Sequence, residues 1–330
     1  MSKHVLVVGC GSIGERHLRC LLKTGRVEVT ACETNPALRE RIQREYRVAG
    51  FATIESALQS RKMDGVVICT PAPTHLELGL IAVRTGAGVL VEKPLSVSLE
   101  HVDEWRQAIA ETKAFARVAY VYHFVPAMQR VREILHSGEL GQPLQVSVVT
   151  GQHFPTFRPA YREIYYARHE SGGGAIQDAL THMANTVEWL VGPTSRVACE
   201  AKHQALEGVT VEDTVSVCAR HQDVLVSYSL NQFQAPNELT LQLHCERGSL
   251  KVELHEQRWG VFRRGAAAWE YHAAPVKDRD DLFVAQAMAF LDGLEGKPTL
   301  LCTVDEAIQT LKFNLAALES ARTGQTVIVR

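Results

Sequence analysis

Two ionisable side chains, Asp178 and His182, stand four residues apart in a segment with helical apolar periodicity, predicted as a helix over 175–190. Residues at this spacing share one face of a helix, so the carboxylate could orient the imidazole and raise its affinity for a proton. The same spacing is also common in exposed surface pairs. The glycine run 172–174 favours a site, because glycine lets a ligand or another backbone approach the helix start closely.

A third ionisable side chain, Lys93, follows the apolar run 89–91 and directly precedes Pro94. The residue before a proline is restricted to extended backbone conformations, so the direction of this lysine is limited. Its amine is therefore aimed at a defined place, the alternative being an ordinary exposed lysine.

A strand-type apolar run at the start of the chain leads into Gly9, Gly11 and Gly14, which fit G-x-G-x-x-G. In that motif the first glycine allows a tight turn, the second lets the backbone approach a pyrophosphate, and the third lets the next helix pack on the strand. The N–H groups and positive dipole end of that helix then face the phosphates. We therefore include Ser12 and Ile13 in a predicted dinucleotide site.

Glu33 ends a second predicted strand, 24 residues after Gly9. A carboxylate at this place can accept both ribose hydroxyl hydrogens of an adenosine, and its charge would repel a 2′-phosphate. We therefore predict NAD as the cofactor, with NADP disfavoured. The alternative is a solvated loop charge ahead of the helix that starts at Asn35-Pro36.

A loop shaped by two prolines, 70–74, follows the buried apolar run 66–69. The prolines exclude a helix until Thr74, which is a good N-cap for the segment 75–85. Loops at the carboxyl ends of parallel strands are where α/β sheets bind ligands. His75 could therefore touch the cofactor, although a solvent-facing histidine in a first helical turn fits the same pattern.

Aromatic and basic side chains crowd the long segment 151–170, which we predict to be an ordered loop. A loop of this length is uncommon unless it is functional or disordered, and so many aromatics argue against disorder. These side chains are Arg158, Tyr161, Arg162, Tyr165, Tyr166 and Arg168. The arginines suggest an acidic or phosphorylated substrate, with simple solvation as the alternative.

The order of the predicted elements indicates an α/β protein of two domains. Strand and helix patterns alternate through residue 121, including a helix capped by Ser98 that runs to about residue 113 and a strand over 115–121. This alternation predicts a doubly wound parallel sheet over domain 1–121. In domain 122–330, period-two patterns across 197–272 predict a mostly antiparallel sheet with one core face, the other being wet or used in subunit contact. Two helical patterns, 281–294 and 305–322, end the chain, and the last could pack back on the first domain.

The composition is that of an ordinary soluble protein, with 46% hydrophobic residues and a net charge of −2 over 330 residues. This charge gives no reason to expect nucleic acid or an anionic membrane as partner. We see neither an apolar run of the roughly 18 residues that span a membrane nor a secretory signal. Eight scattered cysteines without a C-x-x-C pair predict reduced thiols, no metal site and a cytoplasmic protein.

The chain resembles the Gfo/Idh/MocA oxidoreductases, named for glucose-fructose oxidoreductase and inositol 2-dehydrogenase. The resemblance covers the full length and rests on five stretches: VVGCGSIGERH, CTPAPTH at 69–75, VEKP at 91–94, GGGAIQDALTH at 172–182 and AALESARTGQTV. It implies a Rossmann domain followed by an α+β domain with an open-faced sheet, with the active site between them. It also implies an NAD-dependent dehydrogenase acting on a sugar, inositol or sugar nucleotide, assembled as a homodimer or homotetramer through the open sheet.

Site residues follow from the same resemblance. By match to the family motifs, Lys93, Asp178 and His182 are the catalytic triad. The resemblance also implies that the cofactor pocket is lined by Thr70, Pro71, His75, Glu92 and Lys93. It places substrate on the 151–170 loop, through Arg158, Tyr161 and Tyr165.

Two positions depart from the family pattern and leave the substrate open. The family often has an arginine where this chain has Tyr122-His123-Phe124, so His123 could replace a substrate contact. An aspartate is frequent three residues beyond the triad histidine, where this chain has Asn185.

The chemistry implied is hydride transfer between the nicotinamide and a carbinol carbon. Hydride leaves a carbinol readily only if the oxygen loses its proton, so a base must lie within about 3 Å of that hydroxyl. We assign His182 as the base, with Asp178 stabilising the imidazolium and Lys93 stabilising negative charge on the same oxygen. The sequence equally allows Lys93 and His182 to exchange these roles.

Two other functions are compatible with the same residues. Some members of the family cleave glycosides with tightly held NAD, through transient oxidation and no net NADH release. A non-catalytic module that senses NAD is the third hypothesis. Sugar release from a nitrophenyl glycoside would identify the glycosidase, and NAD binding without turnover would identify the NAD-sensing module.

Overall fold

The computed structural model describes residues 2–329, and strands and helices alternate through its first third. These elements are β1 (Lys3–Val8), α1 (Ser12–Lys23), β2 (Val27–Cys32), α2 (Pro36–Tyr46), β3 (Ala49–Phe51), α3 (Ile54–Ser60), β4 (Gly65–Ile68), α4 (His75–Arg84), β5 (Gly88–Val91), α5 (Val102–Thr112) and β6 (Ala116–Val118). The central strands β4 and β5 are unbroken apolar runs, and β1 ends in the apolar run Val5–Val8. Such runs suit strands covered by helices on both faces.

The remainder of the chain is dominated by longer strands. Its elements are α6 (Pro126–His136), β7 (Pro143–Gly151), α7 (Phe154–Phe157), α8 (Thr181–Val191), β8 (Thr194–Lys202), β9 (Thr214–His221), β10 (Val224–Asn231), β11 (Glu238–Cys245), β12 (Gly248–Glu253), β13 (Arg258–Arg263), β14 (Glu270–Ala273), α9 (Arg279–Leu294), β15 (Cys302–Thr303), α10 (Val304–Thr323) and β16 (Val327–Ile328). The helices predicted over 281–294 and 305–322 therefore lie where the apolar periodicity indicates.

The first sheet has seven strands in the order β15-β6-β5-β4-β1-β2-β3. All neighbouring strands are parallel except β15, which is antiparallel to β6. The chain proceeds from β1 to β2 and β3 on one side, then crosses to β4, β5 and β6 on the other. This reversal places the topological switch point at the carboxyl end of β1, where sheets of this kind bind their ligands. The predicted doubly wound parallel sheet is confirmed.

Residues 2–124 and Lys277–Ala307 form one compact unit, and Val125–Val276 with 308–329 form the second. The first unit thus takes in α9, which the division at residue 121 assigned to the second domain. Phe290 and Leu291 of α9 are fully buried in the core that also contains Val5 and Val67 of the parallel sheet. At the start of α9, Asp280 accepts hydrogen bonds from three cations spaced along one face of α1: Arg16, Arg19 and Lys23.

The second sheet has nine strands in the order β14-β13-β12-β11-β7-β10-β9-β8-β16. Its pairs are antiparallel except that of β7 with β10. Buried and exposed residues alternate strictly along β9 and β10, because successive side chains point to opposite faces. The predicted mostly antiparallel sheet with one core face is confirmed.

Two predicted boundaries differ from those observed. The helix expected to follow Ser98 begins at Val102, because the Ser98 hydroxyl instead accepts the backbone N–H of Glu100 within a preceding turn. The strand expected over 115–121 ends at Val118, and residues 121–124 form a short 3₁₀ turn.

Among residues 2–329, no helix combines the length and apolar character needed to cross a lipid bilayer.

Candidate cofactor and active site

Glycine is needed at the three positions of the first loop for different structural reasons. Gly9 has a positive φ of +82°, and a Cβ there would lie 3.0 Å from the backbone of Cys69. A Cβ on Gly14 would lie 1.8 Å from the Gly9 carbonyl oxygen, so close packing inside the protein demands both glycines. A Cβ on Gly11 would meet no heavy atom of the described chain within 4 Å. Protein packing therefore leaves Gly11 unexplained, whereas close approach of a phosphate would explain it.

The start of α1 is suited to an anion. Gly11 is its N-cap with extended backbone, and no side chain of the described residues caps this end. The first N–H groups of a helix have no partner inside the helix, and they carry the positive end of its dipole. Those of Ser12, Ile13 and Gly14 can therefore donate to a pyrophosphate.

Glu33 links the glycine loop to the start of α2. One carboxylate oxygen accepts the backbone N–H of Cys10 at 2.8 Å, and the other accepts that of Asn35 at 2.8 Å. Glu33 is therefore not a simply solvated charge. A carboxylate has about four acceptor sites, so one fixed in this way can still accept ribose hydroxyl hydrogens. The loop, the α1 terminus and Glu33 together fit the adenosine diphosphate half of NAD.

The loop after β4 packs directly against the glycine loop. The Thr74 hydroxyl donates to that of Thr70 at 2.8 Å, and a Cβ on Gly9 would lie 3.0 Å from the Thr70 methyl group. The register of β1, β4 and β5 aligns their carboxyl ends. Gly9, the exposed Pro71 and Lys93 therefore follow neighbouring strand ends of one sheet edge, as predicted for a cofactor pocket.

His75 is 1% exposed, so the alternative of a solvent-facing histidine is wrong. Its Nδ1 and Nε2 lie 2.9 and 2.7 Å from the carbonyl oxygens of Pro94 and Thr70. Burial lowers the pKa of His75, against smaller opposing effects of its hydrogen bonds to Thr70 and Pro94. A neutral imidazole donates through only one nitrogen, so only one of the two contacts is a hydrogen bond at a time. The ring thus lies between the loop after β4 and the residue that follows Lys93; contact with the cofactor stays a prediction.

Glu92 and Lys93 follow directly on β5. Glu92 is buried; one of its oxygens lies 2.6 Å from Nε2 of His17, and the other accepts the backbone N–H of Lys93 at 2.9 Å. Burial alone would raise the pKa of Glu92, but His17 and the positive charge of Lys93 outweigh it and the pKa is lowered. Glu92 is therefore an ionised carboxylate that supports the backbone of Lys93, whose side chain is half-buried.

In the second unit, Asp178 and His182 lie on continuous helical backbone, but the expected α-helix has an irregular start. Residues Ile176–Leu180 form a π-helical turn that contains Asp178, and His182 is in the first turn of α8. Single π turns are frequent at functional sites. Asp178 is buried, and the hydroxyl of Tyr165 donates to its Oδ1 at 2.6 Å.

The glycine run before this turn is explained by neighbouring protein atoms. A Cβ on Gly173 would lie 2.2 Å from the Tyr166 carbonyl oxygen, and one on Gly174 would lie 2.6 Å from the carboxylate of Glu212. That carboxylate accepts the backbone N–H of Ile176 at 2.8 Å and pairs with His169. The sequence allowed either a ligand or another part of the protein to approach these glycines. In the structure, other protein groups approach them.

The segment 151–170 is more structured than an ordered loop. It contains α7 and two 3₁₀ turns, Tyr165–Ala167 and His169–Ser171. Its aromatic side chains form a small core with apolar residues from 206–211; the members are Phe154, Tyr161, Tyr166, Leu206, Val209 and Val211. This short stretch buries three of its aromatics, Phe154, Tyr161 and Tyr166, in a core of its own, whereas Phe157 is exposed.

The residues predicted to contact substrate differ in their surroundings. Tyr161 is 2% exposed and its hydroxyl donates to the Glu207 carbonyl, so we correct its assignment to a structural one. Arg158 lies over the ring of Phe154, and Tyr165 contacts Asp178. In the first unit His123 is fully buried, with Nδ1 at 2.9 Å from the Leu300 carbonyl. Such burial supports the fold and gives no ground for a substrate contact.

Asn185, where the family often has an aspartate, is buried and donates to the hydroxyl of Thr310 on α10 at 3.0 Å. The substitution thus falls at a helix–helix contact within the second unit.

Sequence reasoning missed His17 and Glu212 as supporting residues. His17 lies three residues after Gly14, on the face of α1 that turns toward the sheet, and this spacing was a usable signal. The contact between Glu212 and Ile176 joins residues 36 positions apart, and local patterns give no indication of it.

Comparison with known proteins now identifies the class. The profile described as an oxidoreductase family with an NAD-binding Rossmann fold matches residues 3–120, and that of the GFO/IDH/MocA C-terminal domain matches residues 128–251. The chain belongs to the GFO/IDH/MocA oxidoreductase family, and its first domain is an NAD-binding Rossmann domain. The predicted family is confirmed.

Individual relatives are more distant. The chain is 27% identical to 1,5-anhydro-D-fructose reductase of Ensifer adhaerens over 278 residues, 83% of this chain and 82% of that protein. It is 25% identical to inositol 2-dehydrogenase of Rhizobium meliloti (strain 1021) over 75% of this chain and 74% of that protein. Two further relatives are matched over 59% and 48% of their own length. The fold is similar to that of levoglucosan dehydrogenase in complex with NADH and levoglucosan, with a TM-score of 0.87, 18% identity and full coverage of both chains.

Proposed function

We propose that the protein is an NAD-dependent dehydrogenase that interconverts a ring hydroxyl and a ketone of a sugar, inositol or sugar nucleotide. The observation that carries this proposal is the buried carboxylate of Asp178, held by Tyr165 and followed four residues later by His182 on one helical stretch. A carboxylate so placed suits a partner that stabilises a protonated imidazole.

The class of substrate is inferred from the relatives. Their names refer to an anhydrosugar, an inositol and levoglucosan, all of which carry ring hydroxyls. Since function is a property of a site and not of a fold, the inference to this chain rests on its retaining Lys93, Asp178 and His182 together.

We assign the residues as follows. NAD, when bound, serves as the hydride acceptor in the oxidative direction. His182 takes the hydroxyl proton of the substrate, Asp178 stabilises the resulting imidazolium, and the Lys93 ammonium stabilises negative charge on the same oxygen. In the reductive direction the proton returns from His182 to the oxygen.

Glu33 supports NAD over NADP, because its carboxylate lies beside the glycine loop and would repel a 2′-phosphate. Assembly through the second sheet also stays a proposal. Leu225 and Val149, both exposed, lie on adjacent strands of that sheet, as expected of a face that another subunit could cover.

The test is an NADH absorbance screen over inositols, aldoses, uronic acids and sugar nucleotides, repeated with NADP. With the best substrate, we expect Lys93→Ala and His182→Ala each to lower kcat by more than about tenfold. Both variants should still bind NADH, measured by fluorescence titration, because neither side chain is needed to hold the pyrophosphate. Near-normal turnover in both variants would rule out the proposed chemistry.

A further inference from the structure

A buried histidine–carboxylate pair connects the cofactor-binding helix to the proposed catalytic lysine. His17 on α1 is 2% exposed and Glu92 after β5 is 6% exposed, and their side chains meet at 2.6 Å. The His17 ring also packs edge-on against Phe283 of α9, with the ring centroids 5.4 Å apart. The pair is therefore held on the apolar inner face of α1, away from solvent.

The second carboxylate oxygen of Glu92 extends this connection to Lys93. It accepts the Lys93 backbone N–H at 2.9 Å, so an unbroken path runs from the His17 ring through the carboxylate to the main chain of Lys93. Both oxygens of Glu92 thus have protein partners. An ionised carboxylate is costly to bury without such partners, so the two hydrogen bonds are what allow Glu92 to be charged in the core.

The charges around Glu92 are consistent with this arrangement. The ionisable groups that face it are His17 on α1, Lys93 on the same segment, Cys69 after β4 and His75 on α4. Burial, followed by the negative charge of Glu92, raises the pKa of the Cys69 thiol, which keeps it neutral. The groups that favour the charge of Glu92 are therefore His17 first and Lys93 second.

We propose that His17 and Glu92 are positioning residues that couple the seating of the dinucleotide on α1 to the placement of the Lys93 amine. His17 fixes the carboxylate, and the carboxylate fixes the backbone of Lys93. Helix α1 carries both the phosphate-binding N–H groups and His17. The inference rests on the proposed function of Lys93. It makes Glu92 a support for Lys93, in place of the direct cofactor contact expected from the sequence.

Kinetics test the positioning role, using the substrate with the highest turnover in the screen. His17→Leu should lower kcat per NADH-binding site by about tenfold, since small displacements of a catalytic group are costly. KM for the sugar and Kd for NADH should change less than about threefold, because the buried side chain of His17 is assigned a contact with Glu92 and none with either ligand. His17→Gln should restore most of kcat, since its amide can donate near the position of Nε2.

His4→Leu is the matched control, because the partly exposed His4 pairs with the exposed carboxylate of Glu28 at 3.3 Å in the same unit. It should leave kcat unchanged. Counting sites by NADH titration removes any contribution of unfolded protein to the measured loss. Wild-type kcat in His17→Leu, or an equal loss in His4→Leu, would overturn the coupling. If His17→Leu does not fold, Glu92→Gln is measured in its place, and we expect the same tenfold loss of kcat per NADH-binding site.

A second measurement needs no turnover and compares the protein with and without NADH. In nitrogen-15 spectra of the histidine rings, Glu92→Gln should shift the His17 resonances, and adding NADH to the wild type should shift them again, with those of His4 unchanged. No response of His17 to NADH would overturn the proposal. If Lys93→Ala has wild-type turnover, the proposed function fails; if Lys93→Ala is inactive and His17→Leu is not impaired, only the positioning role fails.

Discussion

Two tyrosines of the same segment show how a single contact decides the role of a residue. Tyr165 is half-buried and donates to the Asp178 carboxylate at 2.6 Å, whereas Tyr161 is buried and donates to a backbone carbonyl at 2.7 Å. Each hydroxyl donates a strong hydrogen bond, but that of Tyr165 acts on a proposed catalytic group and that of Tyr161 does not. The first is therefore a positioning residue, and the second stabilises the fold.

We predict that Tyr165→Phe lowers kcat by about tenfold, because Asp178 loses a donor that stabilises its ionised form. The pH profile of kcat should change in this variant, because the Asp178 carboxylate has lost a hydrogen-bond donor. Tyr161→Phe is the control and should keep kcat while losing about 1 kcal/mol of unfolding free energy. A pH profile of kcat for both variants, with thermal melts, checks this; equal kinetic effects of the two would contradict it.

At the scale of elements, the turn between β1 and α1 contains one glycine that packing requires and another that we assign to ligand binding. Gly14 is required because the helix crosses the Gly9 carbonyl, and Gly11 has no such neighbour. The strand, the turn and the helix are all foreseeable from local pattern. Which glycine serves the fold and which the ligand depends on the positions of atoms.

Gly11→Ala and Gly14→Ala form a matched pair of single-methyl additions. We expect Gly11→Ala to melt within about 2 °C of the wild type, since no described protein atom lies near the added methyl. Its Kd for NADH should rise at least about tenfold, because the methyl lies where the pyrophosphate approaches. Gly14→Ala should melt markedly lower, since its methyl would lie 1.8 Å from a carbonyl oxygen. Unchanged NADH affinity in Gly11→Ala would contradict the assignment of the cofactor site.

At the scale of the whole molecule, stability also depends on buried ionisable groups that have no part in the proposed chemistry. Glu188 on α8 accepts hydrogen bonds from Thr310 and Thr194 at 2.6 and 2.8 Å. Burial raises the pKa of Glu188 to about 7, against the opposing effect of these hydrogen bonds. Burial also lowers the pKa of His221 to about 4, against a smaller effect of its bond to Gly192.

The folded state binds a proton at Glu188 more tightly than the unfolded state, whose carboxyl has a pKa near 4.5. The contribution of Glu188 to stability is therefore full below pH 4.5 and is lost as pH rises to about 7. His221 acts in the opposite sense, because its neutral form is favoured and protonation below about 6.5 destabilises the fold.

We predict that Glu188→Gln becomes progressively more stable relative to the wild type as pH rises from about 5 to about 8. His221 is common to both proteins, so its effect cancels in the difference. Thermal melts of both proteins across this range provide the measurement. A difference in melting temperature that does not vary with pH would show that Glu188 does not titrate as inferred.

The sequence by itself determined the two sheets, nearly all helix bounds, the glycine turn, the family and the candidate triad. These depend on apolar periodicity, glycine and proline placement and short motifs, all of which act between neighbours along the chain. The errors at Ser98 and at the end of the strand after Phe115 are local as well, where a turn competed successfully with regular structure.

Only the tertiary structure decided which side chains support the proposed catalytic groups. Two of these features join residues far apart in sequence: the pairing of His17 with Glu92 and the inclusion of α9 in the first unit. The contact of Tyr165 with Asp178 depends instead on the path of an irregular segment. Such contacts form because burial forces each polar group to find a partner in space, and no periodicity along the chain records which partner that is.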